Sequence, residues 1–211
     1  MKPSFCAVLT AVLLGASSRE AAPSATLKTL IVIMAHPDDE SPVAPILSAY
    51  AREGVQVHLI IATDGAQGAA HTAIPRGPEL ARVRADEARC ATDALGINRP
   101  ILLGFPDGHL GTFTEDRERL FQLTARVQAE LERLRPDAVI TWGPDGGTGH
   151  PDHRLVSSIA TQLVRAGAPG APERLFYASL PVEGMRVVNP SRAGDAVRDS
   201  VTQVSQHCHS V

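Results

Sequence analysis

From Leu27 onward, short apolar runs alternate with longer stretches whose apolar residues recur at helical spacing. Leu27 to Met34, with Leu30-Ile31-Val32-Ile33-Met34 at its end, reads as a strand buried on both faces, because a strand with one wet face would alternate apolar with polar. Val43 to Arg52 follows as a helix, with Pro42 and Pro45 tolerable in its first turn and Gly54 as its stop. Val55 to Ala62 is a second strand. The next helix opens at Pro78-Glu79 and closes at Leu95-Gly96. Its stripe of Leu80, Val83, Ala91 and Ala94 contains one misfit, Glu87, which needs a buried donor or a charge such as Arg84 three residues earlier. Pro100 to Leu103 is a short third strand. Thr114 is expected to cap a long helix with Leu120, Leu123, Val127, Leu131 and Leu134 at helical spacing, and Pro136 to stop it. Ala138 to Trp142 is the fourth strand. His150-Pro151-Asp152-His153 opens a helix ending near Arg165, and Arg174 to Leu180 is the fifth strand. Met185 to Val211 shows no readable pattern.

Five strands alternating with helices predict an α/β fold of Rossmann-like, doubly wound type: a mostly parallel five-stranded sheet with helices on both faces. In the strand order 3-2-1-4-5, strands one and four are neighbours at the switch point, and ligands bind beyond the carboxyl ends of the strands there. The polar clusters fall in that zone. His36 to Glu40 follow strand one, Asp64 follows strand two, Asp107 strand three, and His150 and His153 strand four.

Composition narrows the classes. A chain of 211 residues, 44% hydrophobic with net charge −3, is an ordinary globule with one domain expected over residues 26–211. No basic stretch and only 4% aromatic residues argue against nucleic-acid binding. Met1-Lys2, the apolar run Phe5 to Leu14 and the small residues Gly15-Ala16-Ser17-Ser18 have the order of a secretory signal, too short to span a bilayer. Export is therefore expected, with residues 1–25 as signal and lead-in. Of the three cysteines, Cys6 would leave with the signal. Cys90 and Cys208 remain, so a disulfide is possible in an exported protein, although two cysteines make no framework; Cys90, within a helix, is read first as a small buried hydrophobe, and Cys208 near the chain end carries little weight.

The chemistry concentrates in Ala35-His36-Pro37-Asp38-Asp39-Glu40. Ionised carboxylates are seldom buried unless paired or metal-bound, and a histidine and an aspartate three residues apart supply two ligands of a divalent metal site. Zinc suits that ligand type, and a catalytic zinc site takes a third protein ligand and keeps an open position. Across the switch point, either His150 or His153 would complete a His₂-carboxylate set. The remainder would supply a base for water and a group for the developing oxyanion. No Gly-x-Gly-x-x-Gly follows strand one and no Gly-x-Ser-x-Gly is present, which argues against a dinucleotide site and a serine hydrolase.

With these residues in view, the chain resembles the PIG-L/LmbE family of zinc-dependent N-acetylglucosaminyl deacetylases. The motifs that carry the resemblance are Ala35-His36-Pro37-Asp38-Asp39-Glu40 and Gly149-His150-Pro151-Asp152-His153. Arg84-x-x-Glu87-Ala88 leading to Leu95-Gly96, Thr63-Asp64-Gly65 and Pro106-Asp107 match as well. The resemblance implies that His36, Asp39 and His153 are the zinc ligands and that Asp38 is the general base activating water at the metal. It implies further that His150 steadies the oxyanion or protonates the leaving amine, and that Asp152 orients a neighbouring histidine. Arg84 and Asp107 match substrate-side positions. Two departures stand out: Ser41-Pro42-Val43-Ala44-Pro45 replaces a glycine-rich stretch, and the family's closing helix is not visible.

The expected activity is removal of an acetyl group from an N-acetylglucosamine-type amino-sugar, with Zn²⁺ as cofactor, a free or conjugated amino-sugar as partner, and neither nucleic acid nor a membrane span. The alternatives are an amidase of the same mechanism on larger sugar conjugates and a non-catalytic metal-containing carbohydrate-binding module.

Overall fold

Strand β1 (Thr29–Met34) is apolar on both sides, and the fold uses both. Leu30, Val32 and Met34 pack with Leu47, Val57, Leu59, Ile61 and Ala88 beneath α1 (Ala44–Arg52) and α2 (Pro78–Leu95). Ile31, Ile33 and Ala35 point the other way, against Leu123, Val127 and Leu131 of α3 (Arg117–Leu134) and Val156, Ile159 and Leu163 of α4 (Pro151–Arg165). Each Leu or Ile so buried contributes about 1.5–3 kcal/mol. These relations come from a computed structural model, which describes residues 27–70 and 72–178.

The sheet has five strands, all parallel: β1, β2 (Gln56–Thr63), β3 (Ile101–Phe105), β4 (Ala138–Trp142) and β5 (Arg174–Ala178). Their order is β3-β2-β1-β4-β5, the doubly wound order expected above. The register of β1 on β4 is set at its entry. The Asp137 carboxylate accepts the amides of Lys28 (2.7 Å) and Thr29 (2.9 Å), while the Asp137 amide donates to the Thr29 carbonyl at 2.9 Å. Leu30 then lies opposite Ala138 and Ile33 opposite Thr141.

The structure departs from the sequence reading in three places. β3 continues past Leu103 to Phe105, because Gly104 takes φ 74° and lets the ladder with β2 shift register between Ile61 and Thr63. Thr114 ends a 3₁₀ turn, Leu110–Thr114, that the periodicity did not show. The cap of α3 is Asp116, whose side chain accepts the Arg119 amide at 3.1 Å. Cys90 is half-buried and disulfide-bonded, so it is more than a small hydrophobe. The N-terminal signal, strand five beyond Ala178, and Cys208 lie outside the described residues. Among the described residues no helix is long and apolar enough to cross a membrane.

Candidate active site

Because β1 and β4 are neighbours, the turn leaving β1 faces the first turn of α4, which follows β4. Asp39, 7% exposed, is anchored in that turn. Its Oδ2 accepts the amides of Ala35 (3.0 Å) and His36 (2.9 Å) and the Trp142 indole N–H (3.2 Å). Its Oδ1 is turned to His153, 3.1 Å from Nε2.

His153 is held on two sides. Its ring stacks on Trp142 with centroids 4.7 Å apart and planes 5° from parallel. Its Nδ1 donates to the Gly146 carbonyl at 2.9 Å, which leaves the Nε2 lone pair for the centre of the site. His36 is oriented in the same manner. Its Nε2 lies 3.2 Å from both Asp107 Oδ1 and Asp152 Oδ2. Its Nδ1 lies 3.0 Å from His153 Nε2 and 3.5 Å from Asp39 Oδ2.

Ligand-type atoms of His36, His150 and His153, and of His36, Asp107 and Asp152, also gather within 4.8 Å of one another. In the second group the carboxylates are already engaged by backbone. Asp152 accepts Gly108 N (2.9 Å) and Gly111 N (3.3 Å), and Asp107 accepts Gln67 N (2.8 Å). Their role is to fix the far side of His36. His150 caps α4: its Nδ1 accepts the Asp152 amide at 3.2 Å, so in the neutral ring the proton sits on Nε2. Its ring stands edge-on to His36 with centroids 4.7 Å apart. His36 Nδ1 and Asp39 Oδ1 also both lie close to His153 Nε2, at 3.0 and 3.1 Å.

The electrostatics follow from these contacts. Burial opposes a charge on His36, but Asp107, Asp152 and Asp39 outweigh it and push its pKa up to about 12. Burial likewise opposes charge on Asp39, yet His153 and His36 hold it well below the usual carboxylate range. The surrounding carboxylates thus favour a proton on His36, which a metal ion held at Nδ1 would displace. Burial raises Glu40, 4% exposed, to about 7, and raises Asp38 to about 6 against the pull of Arg84. A carboxylate poised there is suited to accept a proton near neutral pH.

Asp38 stands beside the cluster, partly open to solvent, and Arg84 of α2 donates to it. Of the positions singled out from the sequence, His36, Asp38, Asp39, His150, Asp152 and His153 converge. Arg84 is there too, turned to Asp38, and Asp107 is 6% exposed and turned to His36. Asp64 ties loops together, accepting the Ala66 (3.0 Å) and Asp107 (3.3 Å) amides. Sequence reasoning missed Trp142 and the Gly146 carbonyl. The available signal was the chain's single tryptophan at the exit of β4, directly before a glycine-rich loop.

That loop approaches the indole closely. Gly147 has φ +65°, and a Cβ there would lie 2.6 Å from Trp142 Cε3 and Cζ3. Gly147→Ala is expected to destabilise the fold by about 2–4 kcal/mol, from left-handed strain plus overpacking. Urea unfolding measures this, and an unchanged midpoint would contradict the close approach.

A parallel α/β sheet with a histidine–carboxylate cluster at the carboxyl ends of its two central strands defines a class of metal-site proteins. Comparison with known proteins places the chain within it more narrowly. It belongs to the PIG-L family, described as GlcNAc-PI de-N-acetylase, whose profile matches residues 31–164. A Rhodococcus jostii protein is 36% identical over 157 residues, covering 66% of this chain and 54% of that protein. One from Mycolicibacterium vanbaalenii is 33% identical over 161 residues, covering 68% and 57%. Both carry the name 1D-myo-inositol 2-acetamido-2-deoxy-alpha-D-glucopyranoside deacetylase. The structure of N,N'-diacetylchitobiose deacetylase from Pyrococcus horikoshii superposes with a TM-score of 0.57 at 25% identity, covering 66% of this chain and 50% of that one. The chain spans little more than half the length of the curated relatives it matches.

Proposed function

We propose that the chain is an exported, zinc-dependent hydrolase that removes the acetyl group from an N-acetylglucosamine-type amino-sugar. The observation that carries this reading is the convergence of His36, Asp39 and His153, with Asp38 beside them. His153 Nε2 lies 3.0 Å from His36 Nδ1 and 3.1 Å from Asp39 Oδ1, near the roughly 3.3 Å edge of a tetrahedron with zinc bonds near 2.0–2.1 Å. The donor set, two imidazole nitrogens and a carboxylate with the outer ring nitrogens already bonded, is one that zinc takes in hydrolases. When bound, zinc supplies the Lewis acidity that makes water nucleophilic near neutral pH and polarises the amide carbonyl.

The chain's own groups do the rest. The Asp38 carboxylate takes a proton from the attacking water. The His150 Nε2–H, defined by the bond from the Asp152 amide to Nδ1, is the hydrogen-bond donor for the oxyanion, and the proton taken up by Asp38 is passed on to the leaving nitrogen. Asp107 and Asp152 keep the His36 Nε2 engaged so that Nδ1 stays aimed at the metal. The names of the relatives, deacetylases of an acetamido-sugar inositol and of diacetylchitobiose, support the amino-sugar as substrate class. The charged, apolar, small-residue order of residues 1–18 supports export.

The test is amine release from N-acetylglucosamine and from N-acetylglucosaminyl-inositol, with zinc content measured on the same sample. Zinc-loaded protein is expected to release free amine, and chelation to abolish it with recovery on adding zinc back. No amine release by a zinc-replete sample, or release indifferent to chelation, would overturn the reading.

A further inference from the structure

Cys90 is disulfide-bonded, and the active site makes no use of it. It lies on α2 at the seam between that helix's two faces. Ala88 and Ala91 on one side are buried, while Arg89 and Asp93 on the other are exposed. The wet face is committed to charge, with Arg82 and Arg89 both paired to Asp86, at 3.3 and 2.6 Å. α2 is held by less apolar burial than α3 or α4. Its buried residues are Leu80, Ala88, Ala91 and Thr92, whereas α3 buries Leu123, Val127 and Leu131, and α4 buries Val156, Ile159, Leu163 and Val164. An alanine removes far less apolar surface from water than a leucine, so α2 gains the least. Yet α2 carries Arg84, which donates to Asp38 and lies about 9 Å along the helix axis from Cys90.

Which thiol answers Cys90 follows from counting. The chain has three cysteines, so the partner is Cys6 or Cys208. Both lie outside the described residues. Cys6 sits in the apolar run Phe5 to Leu14, within the segment read above as a secretory signal, and would be removed with it. Cys208 stays. Disulfides persist in the oxidising compartments to which a signal delivers a protein, and are rare in the cytosol.

We propose that Cys90 and Cys208 form a covalent tether that closes the segment around Cys208 onto α2. The inference rests on the export reading above, since only signal removal eliminates Cys6. A disulfide-bearing thiol oxidant supplies the balance: its S–S bond breaks as the Cys90–Cys208 bond forms, and it leaves as two thiols carrying both protons. Such a bond holds its two Cβ atoms about 3.8 Å apart, so the residues beside Cys208 are laid against the seam of α2. It closes a loop of roughly 120 residues, a span at which a cross-link removes much of the unfolded chain's freedom. The helix with the weakest apolar grip thereby gains a covalent one.

The test uses the full chain, exported and purified with its free thiols alkylated. Trypsin without reductant should leave the peptides that begin after Arg89 and after Arg198 joined, and reduction should part them. In thermal unfolding, reduction or Cys208→Ser should lower the midpoint by about 10 °C, and reduction should not lower the variant further. Amides 80–95 should exchange about tenfold faster in Cys208→Ser under native conditions. An alkylated Cys90, a Cys90 peptide joined to Cys6 or to a second chain, or a midpoint indifferent to reduction would overturn the tether. Intact mass separates that failure from a failure of export. A purified chain that keeps residues 1–25 with Cys90 and Cys208 joined would dismiss the signal and leave the tether standing.

Discussion

Asp38→Asn is expected to lower kcat by about a thousandfold while KM stays within about threefold and zinc remains bound. The substitution is chosen for what it keeps. An asparagine oxygen can still accept from Arg84, its size is unchanged, and asparagine tolerates positive φ better than most residues, so the turn at 98° survives. Ser41 continues to donate through Oγ to the residue-38 carbonyl at 2.8 Å. What disappears is the ability to take up a proton. With the ground-state contacts intact, the whole loss should appear in kcat, the signature of an interaction made only in the transition state. Steady-state kinetics with metal analysis on the same preparation reads it. A variant within threefold of the parent kcat would remove Asp38 from the mechanism.

His153→Ala is expected to abolish stoichiometric zinc binding and, with it, measurable turnover. It removes one of three donors and also the ring lying on Trp142, opening a cavity beside a buried carboxylate. Asp39 Oδ1 then loses the partner that offsets its burial, so the site is weakened in charge as well as in number. The expected outcome is metal affinity lower by about three orders of magnitude or more, in line with the loss of a first ligand where outer partners alone cost 10–100-fold. In the parent protein zinc uptake should release protons. His36, with its pKa raised to about 12 in the metal-free cluster, carries a proton at neutral pH that must leave Nδ1 before it can coordinate. Protons therefore compete with metal, and apparent affinity should rise with pH between about 6 and 8. Competition titration against a chelator of known strength at several pH values measures both effects. A His153→Ala protein retaining one zinc per chain would dismiss the proposed ligand set, and a pH-independent affinity would dismiss the protonated cluster.

How much of this was readable before the coordinates depends on the range of each interaction. The strand order followed from the alternation of strands with helices, which puts the chain in the doubly wound class where β1 lies beside β4. The meeting of His36 with His153 followed from that order, although the residues are 117 apart. The pairing of Glu87 with Arg84 was legible as a carboxylate misplaced on an apolar stripe with a cation one turn away. The hydrogen bond from Trp142 to Asp39 was not legible. It joins residues 103 apart through an indole that, by pattern, is only the end of a strand. The Gly146 carbonyl that sets the His153 tautomer was equally hidden, because backbone acceptors leave no mark in residue identity. The displaced cap of α3 arose from the 3₁₀ turn, a tighter winding that mimics the onset of an α-helix in periodicity.

The clip at Asp137 has a consequence for the opposite end of β1. A strand greasy on both sides gains almost nothing from its side chains in choosing one alignment over the next, since sliding by a residue exchanges one apolar surface for another. Each such slide would carry His36 about 3.3 Å along β4, whereas ligand bonds tolerate errors of only about 0.2 Å. The two amides caught by Asp137 therefore act as a zero mark on a ruler, and the far end of the sheet inherits its accuracy from a grip on Lys28 and Thr29, well before the strand delivers its histidine.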